Sequence, residues 1–493
     1  MSENKERTNE IEINDAWSDM AKDFASKHGR RILIGIKTLG CKVNQYETQA
    51  LKEKFTDLGY EIVEDTEFAD VYVINTCTVT GLADRKSRQY IRRVKRINPH
   101  CITAVIGCYA QVNPEEVGAI SGVDIVAGTN EKNKLPLYVE EAMEQKSTAP
   151  IYHVKDYHDL CEYDETGSIT SMESRTRAFI KIQEGCNRFC SYCVIPYARG
   201  AVRSRTKEEI LAEAQSLLNQ GFKELVLTGI NTALYGSEPG FVSEEEFVTD
   251  HEGCKRKLYG VEIVIKALNE LPGHFRIRLS SLEPTVVNAE YVKHLLNYKK
   301  LCHHFHLSIQ SGSNEVLNKM NRNYSREDYY KMVEELRKTD PGFGFSTDII
   351  VGFPGETERD FRDSADMVEK VHFCKVHVFK YSKRPMTKAA QMKGHLPPEV
   401  KSKRSEELIR IAESTAREFY TSLSGSRRMV LFEEYNPETG YYRGHSDNFI
   451  EVFCKSEQDI SDSFAWVSLE RPYRSGMLGI LEQDSVLNPV DFF

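Results

Sequence analysis

The segment Ala178-Phe-Ile-Lys-Ile-Gln-Glu-Gly-Cys186-Asn-Arg-Phe-Cys190-Ser-Tyr-Cys193 passes from alternating apolar residues directly into three cysteines spaced four and three apart. Its first part reads as a strand over Ala178–Gln183, and the part after the glycine is polar and loop-like. In an α/β unit, the loop that follows a strand is where chemistry collects. Thiolates are the usual ligands of iron–sulfur clusters. Three of them on a four-iron cube leave one iron without a protein ligand, as a catalytic zinc keeps one position open. A structural zinc site is the competing reading. It wants a fourth close ligand, commonly from a second Cys-x-x-Cys pair, and no such pair lies near.

Working outward, the same strand–helix rhythm recurs six times between Thr176 and about Lys383. Strands are expected at Ala178–Gln183, Glu224–Thr228, Phe275–Leu279, Phe305–Gln310, Ser346–Val351 and Val376–Tyr381, with helices such as Lys207–Asn219 and Arg326–Lys338. Six such units make either a partial (β/α)6 barrel or a doubly wound sheet; periodicity does not choose, and both place the site at the C-terminal strand ends. Residues 236–260 interrupt the rhythm and read as an exposed insertion. Upstream, Ile32–Lys37, Val71–Asn75, Ile102–Gly107 and Asp124–Ala127 alternate with amphipathic stretches, the pattern of a small α/β domain with a parallel sheet. The expected organisation is a flexible extension over 1–29, an N-terminal domain over 30–145, a linker over 146–173, a central domain over 174–422 and a small all-β module over 423–493. A helix near Pro397–Ser422 leads into that module, with strand-like runs at Met429–Glu433, Phe449–Phe453, Ala465–Leu469 and Met477–Leu481.

Composition is that of an ordinary soluble protein, 40% hydrophobic and 28% charged over 493 residues, long enough for two or three domains. No run of 18 apolar residues is present and the N-terminus lacks an apolar signal core, so a cytoplasmic protein without a membrane partner is expected. Twelve cysteines in a reducing compartment point to metal or catalysis rather than disulfides. A net charge of −9 argues weakly against nucleic acid, although binding depends on local patches.

Three further cysteines share one placement. Gly40-Cys41-Lys42, Thr76-Cys77-Thr78 and Gly107-Cys108-Tyr109 each follow an expected strand shortly. Loops at one end of a parallel sheet converge, so these residues can meet around a second metal centre. Singly each is unremarkable, since buried cysteines are common. Cys101, Cys161, Cys254, Cys302, Cys374 and Cys454 show no comparable arrangement and read as structural or surface thiols.

The CxxxCxxC spacing, with Tyr192 before its last cysteine, resembles the radical S-adenosylmethionine (SAM) superfamily. That resemblance implies an open iron that chelates the amino and carboxylate groups of SAM, and one-electron cleavage of the sulfonium to a 5′-deoxyadenosyl radical. With the upstream set, nearly the whole chain from Arg31 resembles the radical SAM methylthiotransferases. This implies an N-terminal domain with a second [4Fe-4S] cluster on Cys41, Cys77 and Cys108, a partial (β/α)6 barrel with the first on Cys186, Cys190 and Cys193, and a C-terminal TRAM domain. Such enzymes use two SAM molecules, one for the methyl group and one for the radical. Gly40-Cys41-Lys42-Val43-Asn44-Gln45-Tyr46-Glu47, Thr76-Cys77-Thr78-Val79-Thr80 and Ala83-Asp84-Arg85-Lys86-Ser87-Arg88-Gln89 look like the MtaB type. That type acts on N6-threonylcarbamoyladenosine at tRNA position 37, beside the anticodon. The MiaB and RimO types, acting on isopentenyladenosine and on a ribosomal-protein aspartate, usually read GCQMN and GCPKN, wordings absent here. The resemblance also implies a low-potential electron donor such as flavodoxin or ferredoxin and a sulfur donor.

Candidate SAM-binding residues cluster at the expected strand ends: Thr228, Gly229 and Asn231; Ser281 and Glu283; Gln310 and Ser311; Gly352, Phe353 and Pro354. Arg322 is a candidate partner for the SAM carboxylate through its fork geometry. The bland alternative for each loop is simple capping, as for Ser313 at a helix start. A basic stripe over Arg85, Lys86, Arg88, Arg92 and Arg96 is a candidate tRNA surface, against the alternative of a merely solvated helix face. Two features depart from the family pattern. Residues 421–493 hold six Lys or Arg against twelve Asp or Glu, so RNA contact there would rest on stacking by Tyr441, Tyr442, His445 and Phe449 rather than attraction. Met386 stands where the family usually has Gly before Thr387. The competing functions are methylthiolation of isopentenyladenosine or a ribosomal protein, and a non-catalytic cluster-bearing RNA-binding protein.

Overall fold

The computed structural model describes residues 13–145, 149–163, 167–172, 176–241, 247–249, 255–284 and 287–486. They fall into two compact units, one within Met1–Ile169 plus Tyr197–Gly200, the other within Thr170–Pro196 and Ala201–Phe493.

The first unit is built on β1 (Leu33–Thr38), β2 (Glu61–Val63), β3 (Val71–Thr76), β4 (Ile102–Gly107), β5 (Ile125–Ala127) and β6 (Ile151–His153). All pair in parallel in the order β2-β1-β3-β4-β5-β6. Side chains alternate across a strand. Val71, Val73, Ala104 and Ile106 therefore enter one core, while Tyr72, Ile74 and Val105 enter another on the opposite face. Helices cover both faces, as a parallel sheet requires: α1 (Asp19–His28), α2 (Lys42–Asp57), α3 (Gly81–Ile97) and the short α4 (Cys108–Val112).

Two expectations for this unit are corrected. The segment taken as a flexible extension holds α1, capped by Ser18 and closed by Gly29 at φ 63°. Trp17, Ala21 and Ala25 sit in the core four residues apart, an apolar stripe that the polar composition of the terminus hides. Residues 1–12 of that expected extension lie outside the described residues. The expected linker contributes β6, in register Ile125↔Ile151, a strand too short to show a period.

The second unit carries β7 (Arg177–Lys181), the short pair β8 (Gln183–Glu184) and β9 (Arg203–Ser204), β10 (Glu224–Thr228), the hairpin β11 (Phe247–Thr249) and β12 (Lys255–Lys257), β13 (Arg276–Leu279), β14 (Ser281–Leu282), β15 (His304–Leu307), β16 (Gly344–Val351) and β17 (Lys375–Lys380). β7, β10 and β13 form one parallel sheet, and β14 to β17 another. β14 starts two residues after β13 ends, so the parallel strands form one open arc in chain order. Sequential order without a switch point is that of a partial barrel, not of a doubly wound sheet. The helix Lys207–Asn219 is closed by a Thr206/Glu209 capping box. Part of the 236–260 insertion is the β11–β12 hairpin; Cys254 lies outside the described residues.

The helix Pro398–Ser422 leads to β18 (Arg427–Asn436), β19 (Tyr441–Ser446), β20 (Glu451–Cys454), β21 (Phe464–Tyr473) and β22 (Gly476–Val486), which close into a barrel in the order β18-β19-β20-β22-β21. This is the expected small all-β domain, with β19 unforeseen. Gly444, in the middle of β19, lies where a Cβ would stand 2.3 Å from the Leu431 carbonyl oxygen. Within the unit, Arg276 and Arg278 bridge buried Glu224 to the His445 and Asp447 carbonyls, fixing the two barrels together. Arg428 does the same through Asp340.

Candidate active site: two cysteine constellations

In the second unit, Cys186, Cys190 and Cys193 lie on the loop beyond β7 and β8. Gly185 (φ 72°) and Phe189 (φ 47°) fold it back on itself, and Cys193 N–H donates to the Cys190 carbonyl at 2.9 Å. Ser191 anchors it to the end of the helix Asn314–Lys319, through N–H to Met320 O and hydroxyl to Lys319 O. Burial pushes the Cys186 thiol up to about 12, against a backbone N–H at Arg188 that favours its thiolate. Burial raises Cys190 and Cys193 too, and each of the two also feels a neighbouring thiol or carboxylate. Three thiols whose ionisation burial opposes in one loop suit irons, whose positive charge removes thiol protons outright.

Around this loop lies a polar shell. Arg322 bonds Glu283 at 2.5 Å and donates to the hydroxyl of half-buried Tyr192 at 2.8 Å. Asn231 donates to Glu283 at 2.5 Å and, through its N–H, to Gln183 Oε1 at 3.0 Å. Thr228 Oγ1, Asn231 Oδ1 and Arg322 Nε are buried and lack any hydrogen bond among the described residues. Buried polar groups are normally satisfied, so three orphans beside a cysteine loop fit a polar ligand such as SAM. A Cβ on Gly229 would lie 3.0 Å from the Gln183 carbonyl and side-chain oxygens, which keeps that strand end close to β8.

The other expected SAM residues divide. Gln310 (φ 69°) bridges to Asp348 O and accepts from Ile350 N–H through its backbone. Ser311 is taken up internally, accepting from Ser313 N–H, and Ser313 caps the helix Asn314–Lys319, the bland reading. The Ser281 carbonyl accepts from Thr232. Gly352 (φ 73°) donates its N–H to Glu356, while Phe353 is fully buried in a cluster that includes Tyr381 and Tyr192, beside buried Pro354. Met386 needs no glycine. Its φ is not positive, its side chain is 43% exposed, and Thr387 closes the turn onto the Arg384 carbonyl.

In the first unit, Cys41 immediately precedes α2, Cys77 immediately follows β3, and Cys108 follows β4 as the first residue of α4. Neighbouring parallel strands thus deliver all three to one sheet end. Gly40 (φ 126°) allows the approach: a Cβ there would stand 2.8 Å from Cys77 Cβ. Burial pushes Cys77 up to about 12, with Cys108 and Cys41 adding to it. Cys108 is buried and raised by burial, while Cys41 is exposed, so the set is open to solvent on one side. Missing from the sequence reading is what stands behind it. Arg199, fully buried, donates to Cys108 Sγ at 3.3 Å, to Glu47 at 2.9 Å and to Asn44 Oδ1 at 2.7 Å. Buried Lys132 pairs with the same Glu47.

The basic stripe lies on α3, which buries Asp84, Ser87, Ile91 and Val94. Arg85, Lys86, Arg92 and Arg96 are exposed. Arg88 is half-buried and donates to the Tyr109 hydroxyl (2.9 Å) and to the exposed Glu116 (3.0 Å). Elsewhere, His303, Asp340 and Asp447 come together, but Arg428 already occupies them as their cation.

A cysteine loop at the open end of a partial barrel, facing orphaned polar groups, defines the radical SAM class, and residues 180–368 match the family described as Radical SAM superfamily. Residues 33–128 match Uncharacterized protein family UPF0004. The chain is 38% identical to "Threonylcarbamoyladenosine tRNA methylthiotransferase MtaB" of Bacillus subtilis over 92% of its own length and 98% of that protein. It is 34% identical to "tRNA-2-methylthio-N(6)-dimethylallyladenosine synthase" of Caldicellulosiruptor saccharolyticus over 89% and 90%. Among solved structures, the radical SAM methyltransferase TsrM of Kitasatospora setae shares the fold, at TM-score 0.52 and 16% identity over 73% of this chain and 77% of that one. The chain belongs to the radical SAM methylthiotransferase family. It is an enzyme whose cofactors are SAM and two [4Fe-4S] clusters.

Proposed function

We propose that the enzyme converts N6-threonylcarbamoyladenosine at tRNA position 37 to its 2-methylthio derivative. The observation that carries this reading is the end-to-end match to the Bacillus protein, together with the Gly40–Glu47 and Thr76–Thr80 wordings. Cys186, Cys190 and Cys193 hold one cluster and Cys41, Cys77 and Cys108 the other. When bound, the clusters supply one electron to SAM and a site for the sulfur that is transferred. Thr228, Asn231 and Arg322 have unused polar atoms with which to bind and orient SAM, and Glu283 holds the last two in place. The cytoplasm is the compartment, a flavodoxin or ferredoxin the class of electron donor, and a separate sulfur source is required. No helix among the described residues is long and apolar enough to cross a membrane.

The threonylcarbamoyl group carries a carboxylate, which is costly to bury unpaired. Arg85 and Lys86 are exposed on the first turns of α3, and the Thr78–Asp84 hydrogen bond (2.8 Å) ties that turn to the Cys77 loop. They are the proposed partners of the carboxylate. Incubating reduced, reconstituted enzyme with tRNA bearing either modified adenosine and analysing the nucleosides by mass spectrometry tests the reading. Methylthiolation of the threonylcarbamoyl form alone is expected; reaction of the isopentenyl form alone overturns it.

A further inference from the structure

Arg199 is the most buried large cation of the first unit, yet its residue number places it six positions beyond Cys193, and no cysteine reading accounts for it. Tyr197–Gly200 packs with the first unit. Gly200 (φ 68°) sits where a Cβ would lie 2.6 Å from Leu160 Cβ, and Thr129 donates to the Ala198 carbonyl at 2.8 Å. The guanidinium spends its fork on Glu47, at 2.9 and 3.2 Å, and on Asn44 Oδ1. Nε donates to Cys108 Sγ at 3.3 Å. Asn44 in turn faces Cys41 Sγ at 3.9 Å and holds the Leu39 and Thr76 carbonyls. One bonded chain therefore runs Cys41–Asn44–Arg199–Cys108, and buried Lys132 shares Glu47 with Arg199.

We infer that Arg199 is a positioning residue for the cluster held by Cys41, Cys77 and Cys108, and that its N–H and charge on the Cys108 sulfur raise that cluster's reduction potential. The inference rests on the assignment of those three cysteines made above. Hydrogen bonds to ligating sulfurs and nearby positive charge favour the more negative, reduced state. Glu47 holds the guanidinium in place, so that Nε stays aimed at the sulfur. Burial keeps the donor dry, so its effect is not screened by solvent.

The test uses the full chain carrying Cys186→Ala, Cys190→Ala and Cys193→Ala, so that only the first-unit cluster is seen. After anaerobic reconstitution, iron and sulfide are counted and the cluster is titrated with a chemical reductant, one electron per cluster, followed by electron paramagnetic resonance. Adding Arg199→Gln should shift the reduction equilibrium about tenfold toward the oxidised form, about 59 mV lower. Arg199→Lys, which keeps the charge and loses the fork, should fall between. An unchanged potential in Arg199→Gln with full iron overturns the role of Arg199 and leaves the cysteine assignment standing. Absence of iron from the parent triple variant overturns the assignment and the inference with it. Should Arg199→Gln lose its iron, the parent grown on 15N-arginine decides: a nitrogen hyperfine coupling on the reduced cluster upholds the contact, and its absence overturns it.

Discussion

The two cysteine sets are assembled by opposite routes. The barrel set lies within eight residues of one loop, and its geometry is local: two positive-φ residues, one turn bond and one serine anchor hold it. The first-unit set is drawn from positions 36 and 31 residues apart, and only the parallel register of β1, β3 and β4 brings it together. Each set has a buried arginine–glutamate pair behind it, but the arginines do different things. Among the described residues, Arg322 leaves Nε without a hydrogen bond, while Arg199 gives its Nε to a cysteine sulfur.

The largest effect that separates the sets is loss of chemistry. Replacing Cys186, Cys190 and Cys193 with Ala should abolish reductive SAM cleavage and remove about half the iron, as the proposed assignment of one four-iron cluster to each set requires. Replacing Cys41, Cys77 and Cys108 should remove the same share yet leave SAM cleavage measurable. Equal loss of cleavage in both variants would erase the distinction. The next effect is on stability. Glu47→Gln removes the carboxylate that buried Arg199 and Lys132 share, and should cost about 3–5 kcal/mol in urea unfolding of the full chain. Glu283→Gln should cost less, on the order of 1–3 kcal/mol, because Tyr192 still accepts from Arg322. The smallest is a binding change. Thr228→Val removes an orphaned hydroxyl, so SAM affinity measured calorimetrically should weaken about tenfold, ~1.4 kcal/mol, if that hydroxyl meets SAM. Unchanged affinity with raised stability would mark Thr228 as a mere defect of packing.

How much of this was legible follows from the same contrast. Lys207–Asn219 and Glu224–Thr228 match expectation to the residue because a capping box and a fully buried strand speak locally. β2 and β6 did not, being three-residue strands at the two edges of the sheet. β19 hid behind its glycine. The cysteines were visible through spacing and through placement after strands. Arg199, Glu47 and Lys132 were not, since a single charged residue carries no period. One signal was present: Glu47 falls on the stripe of α2 with Val43, Tyr46, Ala50 and Leu51, and a carboxylate on a core face demands cations from elsewhere. The Arg88 pairing was equally hidden, because its partners Tyr109 and Glu116 lie beyond the next strand.

The placement of Tyr197–Gly200 bears on how such a chain can be cut or recombined. A fragment ending near residue 169 would keep every cysteine of the first set and lose the guanidinium behind them. Glu47 would lose its arginine partner, and Cys108 the N–H aimed at its sulfur. Swapping the N-terminal part between relatives would likewise join foreign sulfurs to a resident arginine. The two halves are therefore not interchangeable cassettes, and inheritance of the first brings selection on four residues encoded within the second.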